Sequence, residues 1–191
     1  MEQRVQALDA KFLAAQIAAE TAAPLTFVPD LDQLAAFRLL VHAEIEDFLE
    51  LKAKESLNAA RAKIATPGCN LWELQEIFVV AVILGRSLTI GSPFDRAKLL
   101  ANMDACIGAA LDEVSKNNGI KSESFFMLAG FAGKAIDQFP SLSVSLTSYG
   151  KTRGDVAHKS VARVSTILAP SAESAEVKSV LEGLKAFFYG P

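Results

Sequence analysis

The residues best suited to acid–base chemistry in this chain are an arginine and a histidine near its end. Arg153 and His158 are separated by four residues, and only two histidines occur among the 191 residues. A histidine has a pKa near neutrality, so its imidazole both accepts and donates a proton at pH 7. A guanidinium holds a phosphate through a planar fork of N–H donors. Together, these two side chains have the chemistry needed to cleave RNA without a metal, with the ribose 2′-hydroxyl as nucleophile.

The segment around this pair has the pattern of a helix start. Thr152 and Asp155 have the spacing of a capping box, which predicts that a helix begins at Arg153. The first turn of a helix has free backbone N–H groups and the positive end of the dipole, and both favour a phosphate. Three nearby cations are predicted to bind RNA: Lys151, Lys159 and Arg163.

The spacing of the pair poses a geometric problem. Residues five apart in a regular α-helix point about 140° away from each other. Two explanations remain open. The backbone could be irregular around Gly154, or two copies of the chain could meet at a twofold axis, with Arg153 from one copy and His158 from the other facing each phosphate.

Composition limits the classes of protein that the chain can belong to. Half of the residues are apolar (51%) and 21% are charged, which argues against disorder and predicts one domain over residues 1–191. The net charge is −3, so a basic RNA-binding face must be local.

The sequence also bears on where the protein is found. The start of the chain lacks the pattern of a secretory signal, and the longest apolar run in the chain is too short to cross a bilayer. Cys69 and Cys106 lack metal-ligand spacing. A cytoplasmic protein with reduced cysteines is therefore expected.

Helical periodicity extends over nearly the whole chain and predicts an all-α fold, an up-and-down bundle with peripheral helices. A long helix is predicted to begin at Asp30 or Asp32 and to fade near Ile64. Its apolar residues fall on one arc: Leu34, Phe37, Val41, Ile45 and Phe48. A helix capped by Asn70 is expected over residues 71–84. Because residues 77–84 are apolar all round, this helix is predicted to be central.

The second half of the chain predicts five further helices. One runs from Asp95 to about residue 115, and one from Ser122 to about residue 139. Residues 141–149 are predicted to form an interrupted helix. The helix capped by Thr152 is expected to reach Leu168, and a last one is expected over residues 172–188.

Other candidate sites are weaker. His42 and Glu46 share a helix face that is predicted to meet solvent, and too few further ligands are present for a metal site, so no metal is expected. Glu44 is predicted to be a surface carboxylate, with orientation of Arg153 or His158 as the alternative. Trp72 is predicted to pack in the core, although with Phe78 it could stack on a base.

The segment from Tyr149 to His158 reads YGKTRGDVAH and resembles the R-x4-6-H motif of the HEPN superfamily. Two further stretches are similar to the branch that includes the RiboL-PSP-HEPN domains. Residues 39–49, LLVHAEIEDFL, resemble its long second helix, and residues 118–123, NGIKSE, resemble the turn ahead of its later helices. The resemblance extends over roughly residues 30–170.

This resemblance implies a dimeric all-α endoribonuclease of a toxin–antitoxin or phage-defence type system, which uses no cofactor. Arg153 and His158 match its catalytic pair, and the products would carry 2′,3′-cyclic phosphate and 5′-hydroxyl ends. Many members have a polar residue, often Asn, directly after the Arg. Gly154 stands there in this chain, and Asp155 could partly substitute for it. The implied partners are RNA, a second copy of the chain and a cognate antitoxin or defence-system protein.

Two functions of other classes remain open. The chain could be a non-catalytic helical module that binds RNA or a partner protein and mediates dimerisation. It could also be an antitoxin-like regulatory protein, which would need no cleft shared by Arg153 and His158.

Overall fold

The structure is a computed structural model that describes residues 1–89, 92–134, 140–158 and 167–190, and only the backbone of residues 152–158. Eight α-helices and no strand occur in these ranges, which confirms the predicted all-α fold. The helices are α1 Glu2–Phe12, α2 Ala14–Ala22, α3 Leu31–Ala65, α4 Glu76–Ile83, α5 Arg96–Ser115, α6 Ser122–Phe131, α7 Pro140–His158 and α8 Pro170–Tyr189.

The chain divides into two compact units. The first comprises Met1–Phe48, Gly119–Ser122 and Phe139–Pro191, and the second comprises Leu49–Asn118 and Glu123–Gln138. The first half of α3 therefore belongs to the first unit, and its second half belongs to the second unit. The single domain expected from chain length stays a prediction.

Helix α3 agrees with the helix that the sequence predicts. The Asp30 side chain accepts a hydrogen bond from the backbone N–H of Gln33 at 3.0 Å, as expected of an N-cap. Four residues of the predicted arc are completely buried: Leu34, Phe37, Val41 and Ile45. The predicted start, end and inward face of this helix are thus confirmed.

The segment after α3 departs from the prediction of one central helix over residues 71–84. A short 3-10 helix, Leu71–Leu74, comes first, and the side chain of Asn70 accepts from the backbone of Trp72 as predicted. Helix α4 follows, and it buries Ile77 and Val80 but exposes its other side. The predictions of a central helix and of a core Trp72 are both wrong. The apolar composition of a helix does not show how many of its sides pack against other elements.

Helix α7 is uninterrupted through the segment where the sequence predicts a break. Gly150 lies inside it, and a Cβ at this position would come 3.2 Å from Lys121 Cγ and 3.5 Å from Ile120 Cγ1. The hydroxyl of Thr147 accepts from the backbone N–H of Ser122 at 3.0 Å. Gly150 therefore permits close packing of α7 against the Gly119–Ser122 turn, and it does not end the helix.

The start of α8 also differs from expectation. Pro170 occupies the first turn of this helix, where its missing N–H costs no hydrogen bond. Leu168 lies in the non-helical segment ahead of α8, so the predicted extension of the preceding helix to Leu168 is wrong. The rest of that predicted extension, residues 159–166, lies outside the described residues.

Candidate functional site

The backbone of α7 places the Arg153–His158 segment within one helix. Thr152 lies inside this helix, so the predicted capping box at Thr152 and Asp155 is wrong. The backbone N–H groups near Arg153 belong to the interior of a helix and are not free to bind a phosphate.

Helical register then separates the two positions. Position 153 is four residues after Tyr149, so it falls on the same side of the α7 backbone as that residue. Position 158 is seven residues after Lys151, so it falls on the side of Lys151. The explanation that relied on irregular backbone at Gly154 is wrong, and the divergence of about 140° stands.

A buried ionic cluster fixes α7 one turn before position 153. Arg38 on α3 is 1% exposed. Its guanidinium donates to both carboxylate oxygens of Glu173 on α8, at 3.0 and 2.5 Å, and to Glu176 at 2.9 Å. The same guanidinium lies 5.1 Å from the centre of the Tyr149 ring, and the Tyr149 hydroxyl donates to the Arg38 carbonyl at 3.4 Å. The cluster thus joins three helices of the first unit and sets which face of α7 points inward.

Burial dominates the electrostatics of this cluster. It raises the pKa of the Glu173 carboxyl above its ordinary value, although the hydrogen bond and the charge of Arg38 act in the opposite direction. It also raises the pKa of the Tyr149 hydroxyl. Tyr149 is therefore neutral at physiological pH, and it serves the cluster as a ring face and a hydroxyl donor.

Arg38 is not among the site residues predicted from the sequence, although the sequence contains one signal for it. Arg38 is four residues after Leu34 and three before Val41, on the apolar arc of α3. A charged residue on a buried arc requires a buried partner of opposite charge. No local pattern identifies that partner, because Glu173 is 135 residues away.

Two residues of α3 that the sequence singled out lie in the first unit. His42 is 2% exposed, with Nδ1 3.7 Å from Glu46 Oε2, so the prediction of a solvent-facing His42 is wrong. Glu44 is partly exposed and accepts a hydrogen bond from Arg4 Nε at 3.2 Å. Its alternative role toward Arg153 or His158 stays a prediction.

Other predicted site residues lie outside the described part of the structure. Lys159 and Arg163 fall within residues 159–166. The side chains of Arg153, Asp155 and His158 are likewise not described, and these residues are placed by the backbone of α7 alone. Lys151 is described and is exposed.

The raised pKa of Glu173 predicts how a neutral substitute behaves. Because the folded state holds the Glu173 proton to higher pH than the unfolded state does, this residue stabilises the fold most at low pH. That contribution is lost as pH rises through the folded-state pKa. Glu173→Gln does not titrate, so we expect it to destabilise the protein less at pH 7 than at pH 4.5. Urea unfolding of both chains at several pH values measures this difference, and a penalty that grows with pH would contradict it.

The described ranges contain neither a cluster of metal ligands nor a membrane-spanning helix. No three His, Cys, Asp or Glu side chains there come close enough together to hold a metal ion. No helix in the same ranges has the length and hydropathy needed to cross a bilayer. Comparison of the chain with protein-family models, with curated proteins and with solved structures finds no match.

Proposed function

We propose that this chain is a metal-independent endoribonuclease whose active site combines Arg153 of one copy with His158 of a second copy. The observation that carries the proposal is the continuity of α7 through both residues, with positions 153 and 158 on different faces. Two such helices related by a twofold axis can bring the unlike faces together, which one helix cannot do.

In this mechanism His158 accepts the proton of the ribose 2′-hydroxyl, or donates one to the leaving 5′-oxygen. Arg153 stabilises the charge that develops on the phosphate in the transition state. Asp155 is three residues before His158 and on the same face of α7, so its carboxylate is suited to orient the imidazole. Lys151, also on this face, supplies positive charge to the RNA backbone.

We expect the purified chain to cleave RNA in the presence of EDTA and to leave 2′,3′-cyclic phosphate and 5′-hydroxyl ends. The reason is that the nucleophile belongs to the substrate and needs no metal to activate it. End-group analysis of a labelled RNA tests this, with the same oligonucleotide carrying a single 2′-deoxyribose at the cleavage position as the matched control. Cleavage of the deoxy control, or a requirement for Mg²⁺, would contradict the mechanism.

The competing proposal is a non-catalytic helical module that binds RNA or a partner protein. It is favoured by the position of Arg153 inside α7, where no helix N-terminus is available to bind a phosphate. Gly154, in place of the polar residue common in HEPN proteins, favours it too. RNA binding without cleavage, unchanged by His158→Ala, would support this module over the enzyme.

A further inference from the structure

Helix α4 of the second unit presents an apolar face to solvent. Its sequence is EIFVVAVI, and Glu76 is its one charged residue. Four of its apolar side chains are exposed, and all lie on one side: Phe78 (42%), Val79 (55%), Val82 (76%) and Ile83 (36%). Trp72, in the 3-10 helix that leads into α4, is 81% exposed. We refer to these five residues as the α4 surface. An exposed patch of this kind marks an interaction site in a soluble protein.

The two ends of the α4 surface carry opposite charges. The exposed carboxylate of Glu73 precedes α4, and Glu76 at the first position accepts from Lys63 at 2.6 Å. At the other end Gly85 has φ +63° and ends the helix, and the N–H of Arg86 donates to the Ala81 carbonyl at 2.8 Å. This turn holds Arg86 at the end of α4. Arg86 is exposed, and no carboxylate in the described ranges forms an ion pair with it.

We propose that the α4 surface binds the α4 surface of a second copy of this chain, with the two helices antiparallel about a twofold axis. A twofold axis between positions 80 and 81 places Val79 opposite Val82 of the second copy, and Phe78 opposite its Ile83. The same axis brings the basic end, Arg86, to the acidic end of the other helix. The surface is therefore complementary to itself in apolar character and in charge, as an isologous interface requires.

The exposed area is sufficient for a specific dimer. With about 150–250 Å² for a fully exposed aromatic side chain and less for valine or isoleucine, the exposed fractions of the α4 surface amount to roughly 500 Å² per copy. Two copies then bury on the order of 1,000 Å², which is the lower end of the range for biological interfaces. The acidic end beside Trp72 disfavours a nucleic acid or an anionic lipid as the occupant. This inference is independent of the proposed RNA cleavage.

The decisive experiment mixes two single substitutions, Val79→Cys and Val82→Cys. In the proposed pair, position 79 of one copy lies opposite position 82 of the other. Position 79 of one copy and position 79 of the other are instead about 4.5 Å apart along the helix axis, and the same holds for position 82. Under mild oxidation we expect the equimolar mixture to give several-fold more disulfide-linked dimer than either chain alone. The wild-type chain controls for Cys69 and Cys106, which are both buried. Equal yields from the mixture and the single chains, or no linked dimer, would overturn the proposal.

A second measurement uses a charge at the centre of the surface. Val82→Glu is expected to weaken the association through α4 at least roughly tenfold, because the twofold axis repeats the buried charge in each pair, while any contact through α7 stays in place. Val28→Glu is the matched control, since Val28 is equally apolar and 83% exposed but lies in the first unit. Sedimentation of both variants, with helicity checked by circular dichroism, reports the result. If Val82→Glu leaves self-association unchanged, or removes only binding to RNA or to lipid vesicles, the proposal is overturned.

Discussion

His158→Ala is expected to lower the rate of RNA cleavage by about 10²–10⁴-fold, the range that general acid–base catalysis supplies. Arg153→Ala is expected to have an effect of similar size, and Arg153→Lys is expected to recover little of the loss, because a point charge does not reproduce a bidentate guanidinium. Arg4→Ala is the matched control, since it removes one exposed cation that pairs with Glu44 and should leave the rate unchanged. Wild-type rates for His158→Ala would exclude His158 as a catalytic residue.

A mixture of the two inactive variants tests whether the site is composite. In a dimer of one Arg153→Ala chain and one His158→Ala chain, one of the two shared sites keeps both native residues. With random exchange of subunits, about half of the dimers are mixed, so the mixture should regain about a quarter of the wild-type rate. If each active site instead lay within one chain, every site in the mixed dimer would lack one residue. Inactivity of the mixture after verified exchange would therefore contradict the shared site.

The second large effect is expected from Arg38→Met, which should lower the free energy of unfolding by roughly 3–5 kcal/mol. The substitution leaves the carboxylate of Glu173 buried without the cation that donates to both its oxygens. A buried carboxylate without a partner must bear its full cost of desolvation or take up a proton. Methionine fills a similar volume, so loss of packing contributes little.

The matched control for this prediction is Arg4→Met, at an ion pair whose side chains are 58% and 30% exposed. Solvent screens this pair, and we expect a loss of at most about 1 kcal/mol. Urea unfolding of the two variants and the wild type gives the comparison. Equal and small losses in both would show that the Arg38 cluster does not stabilise the first unit.

The cluster of Arg38, Tyr149 and Glu173 also links the stability of the fold to the proposed active site. Arg38 holds Tyr149, which is one turn before position 153 on the same face of α7. Loss of this contact removes one restraint on the orientation of α7 and hence on the position of Arg153. Arg38→Met is thus expected to reduce RNA cleavage even at temperatures where the chain remains folded.

The sequence by itself determined the all-α class and the start and inward face of α3. The spacing of apolar residues predicted the buried arc of α3 at Leu34, Phe37 and Val41. An α-helix that packs on one side repeats its apolar residues about every 3.6 positions, and this repeat is visible in the sequence. Asp30 or Asp32 was predicted to cap α3, and Asn70 was predicted to cap the next helical segment. Asp30 and Asn70 accept the backbone hydrogen bonds expected of N-caps. These features depend on residues a few positions apart, which a single sequence displays directly.

Tertiary structure decided what each helix faces. The sequence predicts a helix break at Gly150, but this glycine lies inside α7 and packs against Ile120 and Lys121. The sequence also predicts a core helix at α4, but one side of α4 is exposed. Arg38 is buried because a glutamate 135 residues away neutralises it. Each outcome depends on contacts between segments that are distant along the chain, and periodicity contains no information about such partners. Arg153 and His158 are separated because both lie on one continuous helix, α7, where the sequence alone left an irregular backbone at Gly154 open.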